Sequence, residues 1–274
     1  FLLPGAGGNV VYFHALAQHL APSRPVYALQ AVGLDGRTPP METIEAIASL
    51  NITEMRRVFP SGPYLLAGHS FGGRVALEMA HQLSRQGLEV GLLAILDTVA
   101  PEFDPMVVGA DWQNAHWLFK VIGEIEGFFG IQLGVTLDDL LPLEPDEQLA
   151  LVVARMQQSG VWPPGADREQ LRGYVQVYKA NSQAPFVYYK DDRRRFPIAL
   201  MKAKEHEPDT SEMPEGLDVL RRQTAWGWDG FASGAVDVHE VPGAHVSMLA
   251  HPHVATLAQA LDQALARSRS EGDT

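Results

Sequence analysis

No cysteine occurs anywhere in the 274 residues, so disulfides, thiolate metal sites and a thiol nucleophile are excluded, and covalent chemistry must use an oxygen or an amine. No uninterrupted apolar run reaches the roughly 18 residues a membrane helix needs. The chain is therefore expected to act away from membranes, in a cytoplasmic setting. Positive charge is scarce: 21 Lys and Arg stand against 33 Asp and Glu, and the net charge of −12 disfavours nonspecific nucleic-acid binding. No basic stripe with interleaved aromatics counters that balance. His, Asp and Glu nowhere fall at metal-ligand spacing, internal repeats are absent, and no metal is expected. Hydrophobic residues at 46% and charged ones at 20% fit a globular fold with a large core. The start, Phe1-Leu2-Leu3-Pro4, has no initiator Met or signal pattern and begins inside a strand-like run, so the chain is expected to be a segment of a longer protein.

What the chain does contain is an alternation of short apolar runs with amphipathic stretches. Residues 1–3, 26–29, 64–67 and 90–96 read as strands, the last stopping at Asp97. Helices are predicted between them, one aligning Ile44, Ile47, Ala48, Met55 and Val58, another aligning Val75, Ala76, Met79, Ala80 and Leu83. Such alternation implies an α/β fold with a mostly parallel sheet covered on both faces. The pattern breaks over 99–183, where helices are predicted near 111–128, 145–158 and 167–181 around the break Trp162-Pro163-Pro164-Gly165. A long helical insertion at the strand ends is where a lid would sit. Strands resume at 198–204 and 236–241, separated by a loop and helix around 218–226, and a final helix aligns Val254, Leu257, Ala258, Leu261 and Leu265. The expected organisation is a core formed by 1–98 and 184–267, an insertion at 99–183, and a flexible tail at 268–274.

Gly68-His69-Ser70-Phe71-Gly72 lies where a strand passes abruptly into a helix, the context of a nucleophile elbow. Two small residues let strand and helix approach closely while the central serine is held in a strained conformation. A serine hydroxyl needs a base, and the base needs an orienting acid. In α/β-hydrolases the chain order is Ser, acid, His. His245 best fits the base, because it follows the strand 236–241 through the turn Pro242-Gly243-Ala244. His251 and His253 fall at the last helix, His239 inside a strand, and His69 beside the elbow, where packing is the simpler role. Two carboxylates compete as the acid. Asp97 emerges from the buried run Leu92-Leu93-Ala94-Ile95-Leu96, which can hold it rigid, whereas Asp209 lies among charges and prolines. An oxyanion hole needs two fixed donors: the Phe71 amide comes with the elbow, and Ala6, preferred over Gly5, would supply the other from Pro4-Gly5-Ala6-Gly7-Gly8. That loop has neither spacing expected of a nucleotide-binding loop.

With these residues placed, the chain resembles the thioesterase domains that end modular nonribosomal peptide synthetases and polyketide synthases. The likeness rests on residues 66–73 with Ala76-Leu77-Glu78-Met79-Ala80, on residues 92–98, and on Val238-His239-Glu240-Val241-Pro242-Gly243-Ala244-His245. It implies an α/β-hydrolase fold with a helical lid after Asp97, and Ser70, Asp97 and His245 as nucleophile, acid and base. Ala244 departs from the acidic residue many relatives carry there, outside the three catalytic roles. The resemblance further implies a substrate arriving on the phosphopantetheine arm of an upstream carrier domain in the same polypeptide, with no cofactor bound by this domain. The acyl or peptidyl chain would move to Ser70 and leave as a free acid or a macrocycle. Rival readings are an editing thioesterase, a free-standing esterase, and a non-enzymatic ligand-binding protein of the same fold. Trp112, Trp117, Phe119, Phe128 and Trp162 in the insertion are candidates to line a substrate channel, with lid packing as the simpler alternative. Arg193-Arg194-Arg195 and Arg221-Arg222 could steer an acidic carrier domain or simply be solvated.

Overall fold

The apolar runs become five strands: β1 (Leu2–Leu3), β2 (Tyr64–His69), β3 (Val90–Leu96), β4 (Ile198–Ala203) and β5 (Asp237–Val241). They lie in chain order and all pair parallel, with Ala67 opposite Ala94, Ile95 opposite Leu200, and Leu200 opposite Val238. This computed structural model describes residues 1–20, 24–101, 112–162, 165–185, 195–205, 219 and 221–272. Because side chains alternate across a strand, β3 feeds two cores at once. Leu92, Ala94 and Leu96 pack with Phe13, Leu16, Leu257 and Leu261, from the face covered by α1 (His14–Leu20) and α8 (Val254–Gly272). Leu93 and Ile95 pack with Ile44, Met55, Val75 and Met79, from α2 (Ile44–Val58) and α3 (Phe71–Arg85). Burial on both faces is why β3 reads as an unbroken apolar run. Each fully buried Leu or Ile there stabilises the fold by about 1.5–3 kcal/mol.

Between β3 and β4 the chain forms α4 (Asn114–Phe129), α5 (Leu137–Leu140), α6 (Pro145–Gln158) and α7 (Arg168–Gln183). These helices bury a third apolar cluster of their own, including Trp117, Val121, Leu140, Val152, Leu171 and Val175. Local signals set their ends. The Asp167 carboxylate accepts from the Gln170 amide at 3.1 Å to start α7, Pro145 occupies the first turn of α6, and Gly130 ends α4 in the left-handed region at φ 63°.

Several expectations need correction. Residues 26–29 make no strand beyond a single bridge from Ala28 to Leu2, because β1 is two residues long and offers the Leu2 amide and carbonyl as its only partners there. Val58, at the last turn of α2, is 53% exposed rather than part of its buried stripe. The final helix runs through Gly272, so 268–272 are helical where a tail was expected. Helix α5 was not anticipated; Thr136 and Asp139 close a reciprocal capping box around its first turn. Of the helix expected around 218–226, Val219 and Arg221 are helical and 222–226 form turns and bends, while 218 and 220 lie outside the described residues, as do Asp111, Pro163, Pro164, Arg193, Arg194, Asp209 and the tail's last two residues.

Parallel pairing brings the carboxyl ends of all five strands to one edge, where ligands bind in open α/β sheets. β2 ends there beside Ser70, β3 ends at Asp97, and the turn after β5 leads to His245.

Candidate active site

Ser70 sits between β2 and α3 at φ 53°, ψ −126°, a conformation that costs a non-glycine residue about 1–3 kcal/mol. The surrounding backbone enforces it. The Ser70 amide donates to the Leu96 carbonyl at 3.2 Å, and the Thr98 hydroxyl is shared between the Ser70 and Leu96 carbonyls at 3.0 and 3.2 Å. Glycine is required on both sides by close approach: a Cβ on Gly68 would lie 2.1 Å from the Gly72 carbonyl oxygen, and one on Gly72 would lie 2.2 Å from that of Leu3. The elbow thus presses β2, α3 and β1 together until no side chain fits between them.

Asp97 also has φ 53°, which swings its carboxylate away from the strand direction. Its Oδ1 accepts the Ala203 amide at 2.8 Å, and its Oδ2 meets His245 Nδ1 at 2.7 Å. A carboxylate only accepts, so His245 Nδ1 carries the proton and Nε2 keeps a free lone pair. Burial works against the charge on Asp97, whose side chain is 4% exposed, but the His245 hydrogen bond and the Ala203 amide outweigh it and lower its pKa. Burial likewise opposes charge on His245, yet the Asp97 bond and charge, with a smaller contribution from Glu124, raise its pKa. The ring remains 33% exposed, open to an incoming group.

The loop bearing His245 is fixed at several points. The Ala244 amide donates to Ser247 Oγ at 2.8 Å, and the Glu205 amide donates to the Gly243 carbonyl at 3.0 Å. The His245 carbonyl accepts from His69 Nε2 at 2.8 Å. Since that carbonyl can only accept, His69 is protonated at Nε2, and its Nδ1 faces the Tyr12 hydroxyl at 3.3 Å. Burial first, and then repulsion from His245, push the His69 pKa down to about 3, so the ring is neutral across the working pH range. The two rings lie 4.7 Å apart, with His69 acting as a strut under the candidate base.

Beside Ser70 runs the glycine loop, so close that a Cβ on Gly5 would lie 3.4 Å from the Ser70 Cβ. The Gly5 amide is already occupied by the Tyr12 hydroxyl at 2.8 Å. The Ala6 carbonyl is anchored by Asn181 Nδ2 at 2.8 Å, and its amide makes no hydrogen bond among the described residues. The Phe71 amide opens α3, where helical amides lack partners. The amides of Phe71 and Ala6 thus remain the two candidate donors, the first directly after Ser70 and the second in the loop beside it. Among the described residues no cluster of His, Asp and Glu could hold a metal ion, and no helix is long and apolar enough to cross a membrane.

A profile of the thioesterase domain family matches residues 1–265. The chain belongs to the thioesterase domain family. This thioesterase domain is 29% identical over 260 residues to chondramide synthase cmdD of Chondromyces crocatus, covering 94% of the chain and 6% of that protein. It is 28% identical over 271 residues to microperfuranone synthase of Emericella nidulans, covering 97% of the chain and 28% of that protein. The domain thus spans a small part of the relatives it matches. Among solved structures, a four-domain nonribosomal peptide synthetase bound to AMP and glycine superposes with a TM-score of 0.80 at 31% identity, over 96% of this chain and 19% of that one. The Vlm2 thioesterase domain shares the fold, with a TM-score of 0.63 at 23% identity over 96% and 92% of the two chains.

The aromatic residues of the thioesterase domain's helical insertion divide. Trp117 is 1% exposed inside the helical cluster, edge-on to Trp112 at 4.9 Å, so it packs the insertion and does not line an open channel. Trp112 and Phe119 pack against the same cluster, and Trp162 donates to the Ala166 carbonyl at 3.1 Å. Phe128 alone of the five reaches the core, stacking on Tyr12 at 4.5 Å. Sequence reasoning passed over Tyr12, Asn181 and Glu124, and gave Thr98 no role beyond its place in the family likeness. Of these, only Glu124 left a signal, as a charge on the inward stripe Trp117, Val121, Glu124 and Phe128.

Proposed function

We propose that this domain releases acyl or peptidyl chains from a carrier-protein thioester by covalent catalysis at Ser70. The observation that carries the reading is the 2.7 Å contact of Asp97 Oδ2 with His245 Nδ1, at the strand edge where the strained Ser70 stands. His245 Nε2 takes the hydroxyl proton of Ser70 as the oxygen attacks the thioester carbonyl carbon. The Phe71 and Ala6 amides hold the resulting oxyanion, and collapse of the tetrahedral species breaks the C–S bond. Protonated His245 returns the proton to the departing thiol, leaving an acyl-serine. Water, or a hydroxyl or amine of the acyl chain itself, then loses a proton to His245 as it attacks. Ser70 departs with that proton, and the product is a free acid or a macrocycle.

Helices α4–α7 act in this reading as a lid over the strand edge, and the substrate arrives on the phosphopantetheine arm of a carrier domain in the same polypeptide. The synthetases among its relatives, of which the domain spans only 6% and 28%, support that context. The domain itself supplies all the catalytic groups this scheme requires and needs no cofactor. A carrier protein loaded with an acyl-phosphopantetheine chain provides the test. The wild-type domain should unload it, and Ser70→Ala should slow release by at least about 10³-fold. Release by the variant at the wild-type rate would remove Ser70 from the mechanism, and the mass of the product identifies the second nucleophile.

A further inference from the structure

Helix α4 brings one carboxylate to the catalytic edge that the scheme above does not use. Gly127 passes so near the residue after the base that an added Cβ would sit 3.5 Å from Val246, and Phe128 stacks on Tyr12. Glu124, one turn before Phe128 on the same face, is therefore held over this part of the core. Its Oε2 accepts the Tyr174 hydroxyl at 3.0 Å, and that hydroxyl in turn fills the space beside Gly7, where a Cβ would lie 2.2 Å from it. The Glu124 charge also acts on Tyr12, on Tyr178 and on His245 in the loop after β5. No Lys or Arg pairs with Glu124 among the described residues, and its Oε1 accepts no hydrogen bond there. The side chain is half-buried, so part of it stays open to an incoming group.

We infer that Glu124, with Tyr12, Tyr174 and Tyr178 around it, is a subsite for a protonated amine carried by the acyl chain. This rests on the reading of Ser70 as nucleophile. A side chain needed only for packing would be apolar at this place, since a carboxylate there gives up much of its hydration. Burial, only partly offset by the Tyr174 hydrogen bond, pushes the Glu124 carboxyl up to about 7. An incoming ammonium supplies a counter-charge that no Lys or Arg gives among the described residues, and the Tyr174 hydroxyl oxygen can accept from it.

The test compares N-acetylcysteamine thioesters of two chains of equal length, one ending in a primary amine and one in a methyl group. Wild type should favour the amine in kcat/KM, and Glu124→Gln should lower that preference at least tenfold, with part of it restored by Glu124→Asp. Butylamine should also inhibit wild-type turnover of the neutral thioester at concentrations at least tenfold below those of butanol, which needs no variant. A preference that stays within twofold in Glu124→Gln, or equal inhibition by amine and alcohol, would overturn the subsite. Failure of either thioester to acylate wild-type Ser70 would instead strike the nucleophile assignment, and the subsite with it.

Discussion

Ser70 and Asp97 share a backbone oddity: both are non-glycine residues at φ 53°, one at the end of β2 and one at the end of β3. Each turns its side chain off its strand, and tethers to neighbouring strands hold both in place. The electrostatics divide the nearby histidines by role. His69 is held neutral by burial and works as a strut, whereas His245 is biased toward its charged form by Asp97 despite its own burial. On the proposed mechanism only neutral His245 can accept the serine proton, so activity should rise with pH through an acid limb above the ordinary histidine value of about 6.5. In Asp97→Asn the raising influence of Asp97 is gone and burial remains, so that limb should shift to lower pH. The plateau should fall by about 10³–10⁴-fold, because the imidazole loses its orienting carboxylate. A pH–rate profile of both proteins checks the two effects together; an unshifted limb with an unchanged plateau would assign the acid elsewhere.

At the scale of elements, the elbow depends on strand and helix meeting without side chains between them. Gly72→Ala places a methyl against two backbone oxygens, at 2.2 and 2.6 Å, and backbone cannot rotate aside as a side chain can. The substitution should destabilise the domain by about 3 kcal/mol or more. Gly123→Ala, inside α4 with nothing within 4 Å of the added methyl, should instead stabilise it by about 0.5–1 kcal/mol. Denaturant unfolding of both variants measures the contrast. Legibility in the sequence follows the same physics. Strand β3 and helix α6 could be read to the residue, because burial on both faces makes one unbroken run and a proline with acidic neighbours marks the other's start. Residues 26–29 misled because one bridge to a two-residue strand leaves the same apolar pattern as a longer ladder. For Trp117 the sequence left channel and packing both open, because a large aromatic fills a core as readily as it lines a channel, and its burial decides for packing.

Taken as a molecule, the domain joins residues far apart in sequence at one edge. Asp97 and His245 are 148 positions apart, and the His69 contact to the His245 carbonyl spans 176. The order of serine, acid and histidine along the chain was legible because each follows a recognisable strand. The Tyr12–His69 support and the Glu124 carboxylate belong to elements packed from elsewhere, and spacing alone carries no record of such contacts. The parallel sheet aligns the strand ends, helix α4 reaches that edge through Phe128 and Gly127, and the glycine loop runs beside Ser70. In the proposed mechanism these placements serve a single oxygen, that of Ser70. The most direct measurement is mass spectrometry of the protein after acid quenching during turnover of a small acyl thioester. The account predicts a peptide carrying Ser70 heavier by the acyl group in wild type and unmodified in Ser70→Ala. Consumption of thioesters of several acyl classes with Ser70 never acylated in wild type would contradict it.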